Sequence, residues 1–293
     1  MRRLSSRRLA AGVVLLLLLP GLAAAQRRAR GPVEVPETPE GWTVPRTVDG
    51  HPDLRGVWVE IGGTRGGARL SDLVIDPPEG GIPALTEQAQ ADWDELQQYL
   101  EEHPADTWKD RSLGERCVTL GVPVRANFNQ YYKFVQNRDH VVIVMEWYHE
   151  ARVIPLDGSP HPDRRIGLWL GDSRGRWEGD SLVVETANYL PKGYAGTHQR
   201  GTPQTWFHSL NSEELVVTER FTRVGPEVML YEVTIDDPPI WVRPWTVRMP
   251  MGKRNEPLFE FACHEGNYNM ANILRGARVS EQEAAAAAAA DPE

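Results

Sequence analysis

Residues 176–185 have the sequence RWEGDSLVVE, in which the turn residues Glu178, Gly179 and Asp180 separate two runs that favour strands. This pattern is typical of a β-hairpin. Similar apolar runs recur along the chain, at residues 141–145, 152–156, 166–170, 215–223, 228–235, 241–249 and 258–263. Gly, Pro and Asp residues separate many of these runs, so the chain is predicted to form short strands joined by tight turns.

Such a series of strands predicts a mainly β protein, whose antiparallel meander curls into a calycin- or lipocalin-like barrel or half-barrel. A two-sheet β-sandwich is the alternative that the same strands allow. One amphipathic helix is predicted in the N-terminal half, capped by Thr86 and ended by Pro104. Its apolar residues recur at helical spacing: Ala89, Trp93, Leu96 and Leu100.

The first 25 residues predict an export signal that is cleaved near Ala25. Four Arg precede an apolar run at residues 13–19, and three Ala follow at residues 23–25. Pro20 and Gly21 interrupt the apolar stretch, which is too short for a membrane span. The mature protein is therefore expected in the periplasm or outside the cell, with no membrane span. The sequence SRRL at residues 6–9 leaves the twin-arginine route open beside the general export route.

Composition limits the partners that the mature chain is expected to bind. Removing residues 1–25 changes the formal net charge from −9 to −13, because they contain four Arg and no acid. Such a negative charge argues against binding to nucleic acid or to anionic lipid. The chain contains no P-loop and no G-x-G-x-x-G motif, so no cofactor is predicted. Ser173 lies in a G-x-S-x-G string at residues 171–175, but it is interpreted as a turn residue, because a serine nucleophile needs a strand-to-helix elbow that the flanking sequence does not offer. Neither His149-Glu150 nor His264-Glu265 continues to His-Glu-x-x-His, and no metal site is predicted.

The chain has two cysteines, Cys117 and Cys263. In an oxidising compartment the simplest interpretation is one structural disulfide. The alternative is that Cys263 is a nucleophile and the adjacent His264 its base. Neighbouring residues in a strand point to opposite faces of the sheet, which argues against that pairing.

Alternation along the predicted strands suggests a site inside the barrel. Glu219, Glu232 and Glu260 each lie in the middle of a strand, on a face whose other residues are mostly apolar. If these faces point inward, they enclose a polar cavity that binds a small organic molecule. The predicted ligand-binding residues are Glu219, Glu232, Arg243, Trp245, Glu260 and His264. The alternative is that the faces are exposed and the acids pair with cross-strand Arg.

The same residues provide candidates for catalysis. A buried carboxylate close to a histidine can act as acid and base. The candidate catalytic residues are Glu260, His264, His208 and Glu219. His208 is included because it follows Trp206 and Phe207, which could form the rim of a pocket. His149 and His161 lie in polar, turn-like surroundings and are interpreted as surface residues.

The two ends of the chain differ in composition from its middle. Residues 26–50 are rich in Pro and charge and predict an extended leader. Residues 51–279 are predicted to form a single β-rich domain. Residues 280–293 contain a run of Ala and predict a disordered tail.

Several segments have the character of family motifs. They are PRTVDGHPDLRGVW at residues 45–58, RWEGDSLVVET at 176–186, the segment 208–221, DDP at 236–238 and FACHEGNY at 261–268. Together they resemble a family of secreted bacterial proteins that are generally described only as hypothetical. The resemblance covers residues 43–278 and implies that they form one unit. It also places Cys117 and Cys263 at recurring positions, which suits a family disulfide, and it implies no catalytic residue.

Three hypotheses for function follow. The leading one is a secreted or periplasmic barrel that binds a small organic molecule in its cavity. The second is a hydrolase, lyase or isomerase on the same scaffold, in which a carboxylate works with His264 or His208. The third is an envelope structural or interaction protein that acts through its leader and tail. No pattern in the sequence predicts the oligomeric state.

Overall fold

Nine β-strands, two α-helices and a short 3-10 helix at Trp108–Asp110 form the regular structure of the described part of the chain. The computed structural model describes residues 36–61, 73–75, 81–103, 107–119, 131–191 and 211–290. In chain order the elements are β1 (Gly56–Glu60), α1 (Glu87–Glu102), β2 (Tyr131–Gln136), β3 (His140–Met145), β4 (Ala151–Pro155), β5 (Asp172–Glu178), β6 (Ser181–Ala187), β7 (Val216–Arg223), β8 (Val228–Asp236), β9 (Trp245–Arg254) and α2 (Tyr268–Ala290).

All nine strands belong to one antiparallel sheet, in the spatial order β4-β3-β2-β1-β9-β8-β7-β6-β5. The sheet curls until its two edge strands, β4 and β5, lie against each other. The result is a nearly closed barrel. The predicted barrel meander is therefore confirmed, and the two-sheet sandwich is not formed.

The hairpin predicted from residues 176–185 joins β5 to β6. Glu178 pairs with Ser181, which leaves Gly179 and Asp180 as the two turn residues. Gly179 adopts φ +60°, the conformation that the first position of a type II′ turn requires and that Gly adopts without steric cost. The turn residues thus fix the register of the β5–β6 pair.

Alternating burial shows which face of each strand points into the barrel. In β7 and β8 every second residue is buried, as the period of two predicts. The interior side chains from the different strands form one apolar core. Its largest fully buried members are Trp58, Trp245, Tyr132, Tyr231, Phe134, Phe221, Leu54, Leu73, Ile143, Ile154, Leu182 and Met229.

The predicted helix is confirmed as α1, and it packs against this core. The hydroxyl of Thr86 accepts a hydrogen bond from the backbone N–H of Ala89 at 3.2 Å, which caps the helix. Ala89, Trp93 and Leu100 are buried, and the first two belong to the core cluster of the barrel. The Thr86 hydroxyl also donates to the carbonyl of Pro239, which ties the start of α1 to the β8–β9 connection.

Some predicted elements differ from the structure. Residues 166–170 and 258–263 are not strands, and each contains only one isolated bridge residue, Leu168 and Phe261. β1 and β2 were not predicted and lie in the middle of the sheet. Residues 280–290 continue α2 instead of forming a disordered tail, although α2 has no buried residue.

The N-terminal segment of the described chain packs on the β5–β6 hairpin. Arg46 forms an ion pair with Asp180, and the ring of His51 stacks on Trp177 with 5.2 Å between the ring centroids. The predicted export signal and residues 26–35 of the leader lie outside the described residues. No helix among the described residues is both long enough and apolar enough to cross a membrane.

Candidate functional site

A buried ion pair lies inside the barrel. The guanidinium of Arg152 on β4 donates from Nη1 to Oε1 of Glu219 on β7 at 3.1 Å, and Nη2 donates to the other carboxylate oxygen. The side chains are 2% and 0% exposed. Arg152 and Glu219 therefore neutralise each other in an interior from which water is excluded.

Hydroxyl groups complete the surroundings of this pair. Tyr231 donates to Glu219 at 2.7 Å, and Arg152 donates to Ser173 at 3.1 Å and to Thr186 at 3.2 Å. Burial tends to lower the pKa of Arg152, but the charge and hydrogen bonds of Glu219 outweigh it and raise the pKa above its usual range. The pair with Glu219 therefore favours the charged form of Arg152.

One nitrogen of Arg152 is not used in this network. Nε is buried and has no hydrogen-bond partner among the described residues. Buried donors of this kind usually have a partner, because an unmade hydrogen bond is costly. Nε of Arg152 therefore remains available to a bound group that can accept a hydrogen bond.

The space next to Arg152 is the seam where the barrel does not close. Within the described chain no backbone pairing joins β4 to β5. Instead, a cleft of about 440 Å³ lies between residues 150–153 of one edge and residues 168–173 of the other. This volume lies within the range of small-molecule sites. Arg152 and Ser173 are among the residues that line the cleft, so it borders the buried polar cluster.

Three exposed apolar side chains lie at the rim of the cleft. Val153, Leu168 and Trp169 line the cleft and are 56%, 42% and 36% exposed. Large apolar side chains that are exposed together mark binding surfaces more often than single ones do. The cleft thus combines apolar side chains at its mouth with polar groups at its inner wall.

His161, which was predicted to be a surface residue, anchors the connection between β4 and β5. His161 is half-buried, with Nδ1 at 2.7 Å from Oδ2 of Asp172 and Nε2 at 3.3 Å from Oε1 of Glu185. Arg174 also contacts Asp172 and reaches Ser159 on the same connection. These contacts hold the connection against the outer face of β5 and β6.

The structure does not bring the predicted site residues together. Glu219 and Trp245 point into the barrel, as predicted. Glu232 is on the outer face of β8, where it accepts hydrogen bonds from Arg248. The inward placement predicted for Glu232 was therefore wrong, because β7 and β8 align Arg220, rather than Glu219, opposite Glu232.

Three further predicted residues also lie outside the barrel interior. Arg243 lies between β8 and β9, where it donates to the carbonyl of Pro244. Glu260 is exposed, with His149 at 3.5 Å, and His264 is exposed as well. Because residues 258–263 are not a strand, no alternating face links Glu260 to His264 as predicted. His208 lies outside the described residues.

A second cleft lies beside the disulfide. Cys117 and Cys263 are bonded, which confirms the predicted disulfide and excludes Cys263 as a free nucleophile. The cleft has a volume of about 640 Å³ and lies between residues 114–115, the segment 261–267 and the first turns of α2. Phe261 lines it and stacks on Trp147, with 4.9 Å between the ring centroids.

Glu115 lines this cleft and is held in place by hydrogen bonds from nearby residues of the same segment. It accepts hydrogen bonds from the Arg111 guanidinium and from the backbone and hydroxyl of Ser112, at 3.0 and 2.9 Å for the latter two. Burial acts to raise the pKa of Glu115, but these hydrogen bonds outweigh burial and hold the pKa below its ordinary value of 4.5.

Glu115→Gln is expected to lower the free energy of unfolding by about 1 kcal/mol at neutral pH, because charge-assisted hydrogen bonds are lost. A carboxyl whose pKa is lowered in the folded state contributes stability above its unfolded pKa, and this stability is lost as pH falls through the folded pKa. The difference from the native protein should therefore shrink below pH 4.5. Urea unfolding at neutral pH and at about pH 3 measures this difference in stability.

Glu256→Gln, at an exposed position, is the control, with an expected change below about 0.5 kcal/mol at both pH values. An undiminished loss at low pH would contradict the prediction.

Within the described ranges, no group of three or more His, Cys, Asp or Glu is arranged to hold a metal ion.

Comparison with known proteins finds no matching family model, no similar curated protein and no similar solved structure. What the seam cleft can bind therefore follows from the residues that line it and from the contacts of Arg152.

Arg152 and Ser173 line the cleft, and Tyr231 donates a hydrogen bond to Glu219 in the polar cluster next to it. None of Arg152, Ser173 and Tyr231 was predicted as a site residue. Arg152 carries a detectable signal in the sequence, because it shares its strand face with Ile154, as Glu219 shares one with Val217 and Phe221. Two opposite charges on otherwise apolar faces are candidates for a buried pair.

Proposed function

We propose that this protein binds a small organic molecule outside the cytoplasm, at the seam between β4 and β5. The observation that carries the proposal is a cleft with an apolar rim beside a buried Arg152 that has an unused donor. An amphipathic ligand fits such a site, because its apolar part covers the rim and its acceptor group faces the polar wall. The export signal predicted from residues 1–25 supports the location, and the disulfide is consistent with it.

The proposal moves the binding site from the centre of the barrel to its seam. Aromatic and aliphatic side chains fill the centre, among them Phe134, Phe221 and Tyr231, which contact one another through their rings. Polar groups at the seam remain next to open space. Binding there needs no rearrangement of the core.

Titration with anilinonaphthalene sulfonate, an amphipathic fluorescent probe, tests this function. We expect saturable binding that Trp169→Ala weakens about tenfold, because an aromatic contact at the rim is lost. Phe261→Ala is the matched control, because it removes an aromatic residue from the second cleft. It is expected to change the affinity less than about twofold. Circular dichroism confirms that both variants fold. Absence of saturable binding, or loss only in Phe261→Ala, would refute the seam as the site.

A further inference from the structure

We propose that the seam cleft binds the main chain of a short, extended peptide as an added strand on the edge of β4. This inference rests on the proposed function, since it specifies the class of small molecule that the same cleft takes. It follows from the hydrogen-bonding pattern of the two edge strands, from the shape of the seam and from its rim.

The pattern of β4 leaves backbone groups directed at the seam. The N–H of Met145 donates to the carbonyl of Glu150 at 2.8 Å, and the N–H of Leu156 donates to Asp139 at 2.9 Å. In antiparallel pairs the residues that bond to the neighbouring strand alternate with those that face away. Residues 150, 152, 154 and 156 therefore bond to the β3 side. Ala151 and Val153 direct their N–H and C=O groups away from β3, into the cleft.

No hydrogen bond in the described chain satisfies the backbone N–H and C=O groups of Ala151 and Val153.

β5 presents a similar unpaired edge on the other side of the cleft. Its closing pair with β6, Glu178 and Ser181, flanks a two-residue turn, so residues 173, 175 and 177 direct their backbone groups away from β6. Unpaired edges of this kind are ready templates for another strand.

The shape of the seam limits the length of the added strand. Near Gly175 the two edges are closed by side chains, because a Cβ at Gly175 would lie 2.7 Å from Ile154 and from Leu156. The seam is open at its other end, between residues 150–153 and 168–173. A segment of about three residues spans roughly 10 Å and matches this open end.

The rim determines which side chains the peptide carries. In an added strand, the residues opposite Ala151 and Val153 point to the outer face, where Val153, Leu168 and Trp169 are exposed. These two residues are therefore apolar. The residue between them is opposite Arg152 and points toward the polar wall, so a small side chain that accepts a hydrogen bond suits it. The sequence Val-Ser-Val fulfils both conditions.

The test uses the acetylated and amidated peptide Val-Ser-Val, titrated calorimetrically into the full mature protein. The control peptide has the same side chains but carries a methyl group on both Val nitrogens, which removes the two donors to the β4 edge. We expect the parent peptide to bind at least about tenfold more tightly than the methylated one, because two backbone hydrogen bonds are lost. Equal affinity of the two peptides would overturn strand addition.

Two further measurements test whether the peptide forms hydrogen bonds with the backbone of Ala151 and Val153. Val153→Pro removes an N–H that points to the seam, at an edge position where Pro is tolerated, and should weaken the parent peptide about tenfold. Val153→Ala keeps the N–H and should weaken it less than about threefold. If Val153→Pro fails to fold, hydrogen exchange of the native protein decides, since the peptide must slow exchange at Ala151 and Val153. Unchanged exchange there would refute the inference.

The outcomes separate this inference from the proposed function. Probe binding that depends on Trp169, together with equal affinity of the two peptides, would leave the seam as a small-molecule site and reject the peptide. Failure of both the probe and the peptide to bind would reject the two together.

Discussion

Replacing Arg152 by Met is expected to lower the free energy of unfolding by about 3–5 kcal/mol. The variant leaves the Glu219 carboxylate in the barrel interior with Tyr231 as its remaining donor among the contacts described. Removing one partner of a buried pair costs far more than the pair itself contributes, because the other charge is left without compensation. Urea unfolding monitored by tryptophan fluorescence measures the loss.

A matched control lies on the outside of the same barrel. Arg248 and Glu232 are also an Arg–Glu ion pair, formed between the neighbouring strands β9 and β8, but their side chains are 39% and 19% exposed. Arg248→Met is expected to cost less than about 1 kcal/mol, because water solvates the remaining carboxylate. Equal losses in Arg152→Met and Arg248→Met would show that the interior pair is not excluded from water.

The double variant Arg152→Met, Glu219→Met keeps the prediction testable if the single variant does not fold. It removes both charges and leaves apolar side chains of similar length in the interior. Such replacements of buried ion pairs are often neutral or stabilising. We expect it to be more stable than Arg152→Met by at least about 2 kcal/mol, and a double variant as unstable as the single one would contradict this account.

The barrel could be predicted from the sequence because its signals are local. The turn at Gly179 and the runs at 141–145, 215–223 and 228–235 each specify a strand without reference to the rest of the chain. β2 also alternates, with Tyr132 and Phe134 buried, and was recognisable from the same period. The helix α1 was specified by its cap and its apolar spacing.

The site could not be predicted in the same way, because alternation gives the period of a strand but not which face is inside. In β7 the face of Glu219 is buried, whereas in β8 the face of Glu232 is only partly buried. The two faces are distinguished only by the register, which places Arg220 opposite Glu232. The partner of Glu219, Arg152, is 67 residues away in the chain, so only the closure of the barrel brings them together.

The C-terminal segment was misinterpreted for a related reason. Residues 258–263 have the composition of a strand, but Cys263 is bonded to Cys117 and Phe261 stacks on Trp147. Tertiary contacts override a local preference for strand there. In α2 the opposite holds, because its Ala-rich end is helical although it buries no residue. Alanine has the highest intrinsic helix propensity, which accounts for a helix without an apolar stripe.

Removing the disulfide is expected to destabilise the protein by up to about 5 kcal/mol in the variant Cys117→Ser, Cys263→Ser. The bond joins residues 146 apart in sequence, and the loop between them contains every strand from β2 to β9. A crosslink around so long a loop removes conformational freedom from the unfolded chain, so its loss stabilises the unfolded state. Urea unfolding measures the change as a lower midpoint.

Reduction of the native protein provides the control for this variant. Dithiothreitol breaks the same bond without changing the sequence, so the reduced protein and the double Ser variant should unfold at the same urea concentration within error. A loss shared by both identifies the crosslink, and not the packing of the sulfur atoms, as its source. Asn267 donates to the carbonyl of Glu115 at 2.8 Å and holds the same two segments together without a covalent bond. If this contact and its neighbours were sufficient, breaking the disulfide would cost less than about 1 kcal/mol, and the entropic account of the bond would be wrong.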